Sequence, residues 1–233
     1  MVALSGMNRM ALAILTSLGG GADMSTDTGI VFIVDDDKRI REAVCDLLEA
    51  RSIDAFAFDS VTSYSAFERP DRAACLLLDI ELPDISGLEF QRRIDRENHP
   101  PIVFVTGHGD IRSSVDAMKY GAVDFLTKPV LEHELMQSVL AALERDRNER
   151  RERSKIANLL ARLALLTPRE REVLPLIASG LMNKQAAAEL GISEVTLQIH
   201  RSKIMKKMEC MSFAELVRMA GKLGIENFVG NGP

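Results

Sequence analysis

The chain has 233 residues, a formal net charge of −5, and a globular-protein balance of 46% hydrophobic and 27% charged residues, which bounds it to one or two domains. It holds no tryptophan and few aromatics, which excludes recognition through a broad aromatic face; its scattered Cys45, Cys75 and Cys210 have neither metal-ligand spacing nor an even disulfide framework and read as reduced cytosolic thiols. The charge splits into −10 over residues 1–143, +2 over residues 144–155 and +3 over residues 156–233, which suits a metal or phosphoryl site followed by a nucleic-acid module.

Met10 to Leu18 (MALAILTSL) is a nine-residue apolar run after a single Arg9. It is too short to span a membrane as a helix, and no A-x-A-like site follows it as a secretory signal requires. Met24 opens MSTDTG just before the first strand, so residues 1–28 are expected to be a disordered tail or a mis-called start. From Ile30 short apolar runs predict strands at Ile30–Val34, Ile53–Phe58, Cys75–Leu78, Ile102–Val105 and Val123–Leu126. Helical spacing predicts helices at Arg39–Ala50, Ser60–Phe67, Leu88–Arg96, Ile111–Tyr120 and Leu131–Leu143. Continuous rather than alternating apolar strands imply a parallel sheet covered on both faces. The predicted fold for residues 29–143 is therefore α/β, a doubly wound five-stranded parallel sheet. Residues 144–155 (ERDRNERRERSK) carry mixed charge and no apolar stripe. They predict a solvated helical linker, 144–162, that continues the preceding helix, with pairs such as Glu149 and Arg153. Residues 163–233 read as a separate all-α domain. Thr167-Pro168-Arg169-Glu170 is a capping box with Pro at the first position, and Gly180 ends that helix. A short helix over Asn183–Leu190, a Gly191-Ile192-Ser193 turn and a helix to about Met208 follow; Ser212-Phe213-Ala214-Glu215 opens the last one.

In a doubly wound sheet, ligands bind outside the carboxyl ends of the strands. Asp35, Asp36, Asp79, Thr106 and Lys128 each lie at or just past such an end, so they should converge on one edge. A carboxylate cluster with a lysine suits metal-assisted phosphoryl transfer. Mg²⁺ prefers hard oxygen ligands, a carboxylate can become an aspartyl phosphate, and a lysine and a hydroxyl can bind phosphoryl oxygens. Pro129 after Lys128 offers a rigid turn to aim the lysine. Each residue alone would be an ordinary strand-end group; the joint occurrence at the strand ends carries the reading. His99, His108 and His133 lack ligand spacing and are expected at the surface or in loops.

These residues resemble the receiver domain of two-component response regulators over about residues 29–148. Val34-Asp35-Asp36-Asp37 is similar to that family's acidic pair, and Leu78-Asp79-Ile80-Glu81-Leu82-Pro83-Asp84-Ile85-Ser86-Gly87 to its phosphoacceptor segment. Thr106-Gly107-His108-Gly109-Asp110 and Phe125-Leu126-Thr127-Lys128-Pro129 resemble the switch and lysine motifs of the FixJ-like subgroup. The resemblance implies that Asp79 accepts phosphate from a sensor histidine kinase. It implies that Asp36, Asp79 and the carbonyl of Glu81 ligate Mg²⁺, with Asp35 acting mainly through water. Thr106 and Lys128 would bind the phosphoryl oxygens. Thr106 and Phe125 would then rearrange and reshape a surface around Ile111–Tyr120 and Val123–Leu126 that commonly forms a homodimer interface.

In the last domain, a helix, a short helix, a glycine turn and a longer basic helix follow the helix-turn-helix order. Arg201, Lys203, Lys206 and Lys207 lie on the basic helix, and a basic helix alone would be a solvated face. Residues 163–223 resemble the LuxR/NarL-type helix-turn-helix domain, through Leu166-Thr167-Pro168-Arg169-Glu170, Gly191-Ile192-Ser193-Glu194-Val195-Thr196 and His200-Arg201. The resemblance implies Gln198, Ile199, Arg201 and Ser202 at the groove of double-stranded DNA, Lys203 and Lys206 at phosphates, and Thr196 at the backbone. Two departures stand out: Pro175 inside the first helix, placed near its N-terminal turns where it would only kink it, and Gln198 where many members have a basic or apolar residue. The implied protein is a cytoplasmic transcriptional regulator, not an enzyme, with a sensor kinase, promoter DNA and RNA polymerase as partners. An aspartate-based phosphatase is the competing class, but it normally needs a second Asp two residues after the nucleophile, where Glu81 stands. A constitutive DNA-binding protein with an inert receiver is the third; the intact acidic set argues against it.

Overall fold

The computed structural model describes residues 29–95, 98–107 and 111–225. The expectations for residues 1–28 and for His108 lie outside them. Five parallel strands, β1 (Ile30–Val34), β2 (Asp54–Phe58), β3 (Ala74–Leu78), β4 (Ile102–Thr106) and β5 (Asp124–Thr127), form one sheet in the order β2-β1-β3-β4-β5. Helices α1 (Lys38–Ala50), α2 (Val61–Ser65), α3 (Gly87–Arg93) and α4 (Ile111–Lys119) alternate with them. Every residue of β1, β3 and β4 is buried, as continuous apolar runs require of strands covered on both sides. Alternation divides the side chains between two cores. Ile30, Phe32, Val34, Leu76, Leu78 and Phe104 pack on one face; Val31, Ile33, Cys75, Leu77, Val103 and Val105 pack on the other. Strand boundaries move by at most a residue, while the helices predicted as Ser60–Phe67 and Leu88–Arg96 are shorter at their C-terminal ends; Ile53 stays outside β2 because its amide closes α1 on the Leu48 carbonyl (3.0 Å).

As expected of a linker that continues the preceding helix, the last receiver helix runs unbroken as α5, Glu132–Ala164, 33 residues and about 50 Å long. Leu135, Val139 and Leu143 cover the second core. The part read as a solvated linker is more anchored than its composition implies. Asp146 is buried, and its carboxylate accepts hydrogen bonds from the Ala74 amide (2.8 Å) and from Arg150 Nε (2.9 Å). Arg150 also binds Asp71. Glu149 pairs with Arg145 (2.8 Å), and Arg153 faces Asp146 at 3.8 Å.

Beyond it, α6 (Pro168–Ala178), α7 (Asn183–Glu189), α8 (Glu194–Lys207) and α9 (Phe213–Lys222) enclose a third core of Val173, Leu174, Ile177, Ala186, Leu197, Ile204, Met208 and Leu216. The capping box at Thr167 is complete: its hydroxyl accepts from the Glu170 amide (3.3 Å), and Glu170 Oε2 accepts from the Thr167 amide (2.8 Å). At Ser212 the hydroxyl accepts from the Glu215 amide (3.2 Å), but Glu215 accepts from the amide of Met211 (2.8 Å), one residue before the cap. Pro175 falls in the third turn of α6, not in its N-terminal turns as expected. Gly191, at φ 65°, makes the turn into α8 in a conformation glycine adopts without strain. Among the described residues, no helix is long and apolar enough to cross a membrane.

Candidate functional site

The carboxyl edge of the sheet gathers the predicted acidic set. Asp35 follows β1 and Asp79 follows β3, which are paired neighbours, so the two side chains meet; both residues are buried, and Asp36 stays exposed beside them. Oxygens of Asp35, Asp36 and Asp79 lie within 4.8 Å of one another. Lys128 follows β5 and reaches across β4, placing Nζ 2.6 Å from Asp35 Oδ2 and 2.6 Å from Asp79 Oδ2. The Lys128–Pro129 peptide is cis. Backbone amides of Asp37 (2.8 Å) and Glu81 (3.2 Å) donate to the remaining oxygens of Asp35 and Asp79. Burial raises the pKa of Asp35, with hydrogen bonds from Lys128 and the Asp37 amide opposing it. Burial pulls Lys128 down, but its bonds to Asp35 and Asp79 outweigh this and hold its pKa above the ordinary lysine value. The lysine is therefore a fixed cation between two carboxylates. Three hard-oxygen side chains converging beside a cation are a donor set that suits a small divalent ion and an incoming phosphate.

The flanking residues divide. Thr106 ends β4 fully buried, and its carbonyl accepts from the Lys128 amide (2.8 Å). Phe125 is half-buried, its ring 6.3 Å from that of Phe104. Glu81 is exposed, and its amide donates to Asp79 Oδ1. Two contributors were not assigned from sequence. Arg41 donates to the Asp35 carbonyl (2.7 Å), a partner one helical turn into α1 that no motif marks. Gly87, quoted from sequence only as the end of the Leu78–Gly87 motif, packs so closely that a Cβ there would lie 2.2 Å from the Asp79 carbonyl oxygen. His99 lies in the loop just before β4, within the expected surface-or-loop placement. It is buried at the other end of the sheet, with Nε2 3.0 Å from the Tyr64 hydroxyl and Nδ1 2.9 Å from the Pro100 carbonyl; burial pushes its pKa down to about 4. His133 is exposed, as expected.

In the C-terminal domain, Ser193 caps α8 by accepting from the Thr196 amide (3.1 Å). Gln198, Ile199, Ser202, Lys203 and Lys206 are exposed on α8; Thr196 is half-buried, its hydroxyl 2.8 Å from that of Ser193. Arg201, expected at the groove, is half-buried. Its guanidinium lies 3.8 Å over the Phe213 ring and donates to Asn183 Oδ1 (3.2 Å), bracing α8 against α9 and α7. Lys207 is also engaged, 2.6 Å from Glu170 of α6. Val195, which the sequence reading passed over, is exposed. His200 is half-buried.

Residues 31–140 match the response regulator receiver domain, and residues 164–220 match the bacterial regulatory proteins of the luxR family. Nodulation protein W of Bradyrhizobium diazoefficiens is 47% identical over 208 residues, 89% of this chain and 91% of that protein. The chain belongs to the FixJ-like response regulators. This response regulator is also 37% identical to the response regulator protein TodT of Pseudomonas putida (86% of this chain, 88% of TodT). It is 36% identical to the transcriptional regulatory protein FixJ of Rhizobium meliloti (82% and 94%). Among solved structures, the response regulator StyR superposes with a TM-score of 0.73 at 40% identity, covering 83% of this chain and 98% of that one. The response regulator is a phosphorylation-controlled transcriptional regulator, with its acidic pocket in the receiver and its basic helix in the DNA-binding domain.

Proposed function

We propose that Asp79 is the phosphoacceptor. The observation that supports this most is Lys128 Nζ held 2.6 Å from both Asp35 and Asp79, beside Asp36. In the proposed step a carboxylate oxygen of Asp79 attacks the phosphorus of a kinase phosphohistidine. The P–N bond breaks, its electron pair returns to the imidazole, and that ring takes up a proton. Asp36, Asp79 and the Glu81 carbonyl would hold Mg²⁺, with Asp35 beside them, and the ion would supply charge neutralisation for phosphate among carboxylates. Lys128 exchanges its contact with Asp79 for a phosphoryl oxygen. Thr106 turns its hydroxyl toward another, and Phe125 moves with it.

That rearrangement acts on α4 and β5. Ile111, Val115 and Met118 of α4 are exposed apolar residues on that surface, which supports a homodimer interface formed on phosphorylation. On DNA, Gln198, Ile199 and Ser202 take base edges, and Lys203, Lys206 and Thr196 take phosphates. Arg201, committed to Phe213 and Asn183, is read as the brace that sets the angle of α8. The protein works in the cytoplasm, where a sensor histidine kinase, promoter DNA and RNA polymerase meet it. The test is labelling by phospho-kinase or acetyl phosphate with and without Mg²⁺, then filter retention of DNA across a salt series. Labelling should need Mg²⁺ and vanish in Asp79→Asn. Undiminished labelling of that variant would sink the assignment.

A further inference from the structure

The outward surface of α8 is unusual in what it leaves exposed. Val195 is 66% and Ile199 50% exposed. They stand four residues apart, so they adjoin on one face with about 5–6 Å between Cβ atoms. The fold does not need them, because Leu197 and Ile204 fill the core from the opposite face at 0% exposure. They lie in the first half of α8, the part of a recognition helix that meets base edges. Their neighbours on this face, Gln198 and Ser202, are uncharged and also exposed. The one arginine of α8 is withdrawn onto Phe213 and Asn183. Guanine is most often read by a bidentate arginine or lysine, which this part of the helix does not present. The apolar feature of a major-groove base edge is the C5-methyl of thymine, and the side-chain amide of glutamine matches adenine.

We propose that Val195 and Ile199 read thymine C5-methyl groups, with Gln198 on an adjacent adenine, so that each half-site is marked by neighbouring A·T pairs. This rests on α8 being the groove-entering helix. Each methyl contributes about fourfold in affinity, the size of one buried methyl-sized apolar group. Changing thymine to deoxyuridine removes that methyl and leaves every hydrogen-bonding group in place.

The full chain, treated with acetyl phosphate and Mg²⁺, is used to select sites from a random-core duplex library. The winning duplex is then resynthesised with deoxyuridine at single thymines. Affinity should fall about fourfold at two thymines per half-site. Val195→Ala and Ile199→Ala should each abolish the penalty at one of them, with an unchanged salt slope. Both side chains are exposed, so far-UV dichroism should show both variants folded. Equal affinity for thymine and deoxyuridine duplexes overturns the inference, as does a penalty that survives both substitutions. Failure of the wild type to retain any duplex would overturn the groove-helix assignment itself, which is a separate outcome.

Discussion

Replacing Glu170 by Gln tests how α8 is held. Glu170 is 2% exposed, and its Oε2 accepts from both the Thr167 amide (2.8 Å) and Lys207 Nζ (2.6 Å). It joins the start of α6 to the end of α8. Burial works to raise its pKa, but the hydrogen bonds from Lys207 and Thr167 prevail and lower it to about 2 from 4.5. A depression of that size corresponds to about 3 kcal/mol of preference for the charged form. Lys207 is about one-third exposed (32%), so screening reduces the expected loss to roughly 2 kcal/mol. Glutamine keeps an acceptor for the cap while leaving the lysine without its counter-charge. Protection of the α6 and α8 amides against hydrogen exchange should fall about thirtyfold at pH 7. The pH dependence has a definite sign. A carboxylate with a lowered folded-state pKa stabilises fully above its unfolded value of 4.5 and loses that contribution as pH falls toward 2. The gap between wild type and variant should therefore narrow between pH 5 and pH 2.5, a window chosen from those two values. Protection within twofold of wild type at pH 7, or a gap that does not close in acid, would refute the reasoning.

Gly87→Ala drives a Cβ to 2.2 Å from the Asp79 carbonyl oxygen. It should slow Mg²⁺-dependent labelling at least tenfold and lower the receiver's melting temperature, read by kinetics and calorimetry. Lys203→Ala and Lys206→Ala should each weaken binding of all duplexes alike and reduce the log–log salt slope by about 1. Pro175→Ala supplies an amide that can donate to the Arg171 carbonyl, so urea unfolding of the C-terminal domain should move to higher concentration by the equivalent of about 1–2 kcal/mol. Asp146→Ala removes the acceptor of the buried Ala74 amide and of Arg150; it should expose α5 beyond Leu143 to proteolysis, with a stability cost of about 2–3 kcal/mol.

The continuous apolar runs of β1, β3 and β4 determined the sheet by themselves, because only strands covered on both faces are apolar at every position. Parallel pairing then obliges the strand ends to share an edge, so Asp35, Asp36, Asp79 and Lys128 could be grouped before any geometry was known. The helix order and the caps at Thr167, Ser193 and Ser212 were equally local, since a cap is satisfied within three residues. Tertiary structure decided what depends on a distant partner. Asp146 reads as one more linker charge until the Ala74 amide, 72 residues away, takes it out of water. Only the fold shows that Arg201 lies against Phe213 and Asn183, and that the loop residue His99 is buried beside Tyr64. A charged or polar side chain takes its role from whichever group pays its desolvation, and that group is fixed by the packing of elements far apart in the chain.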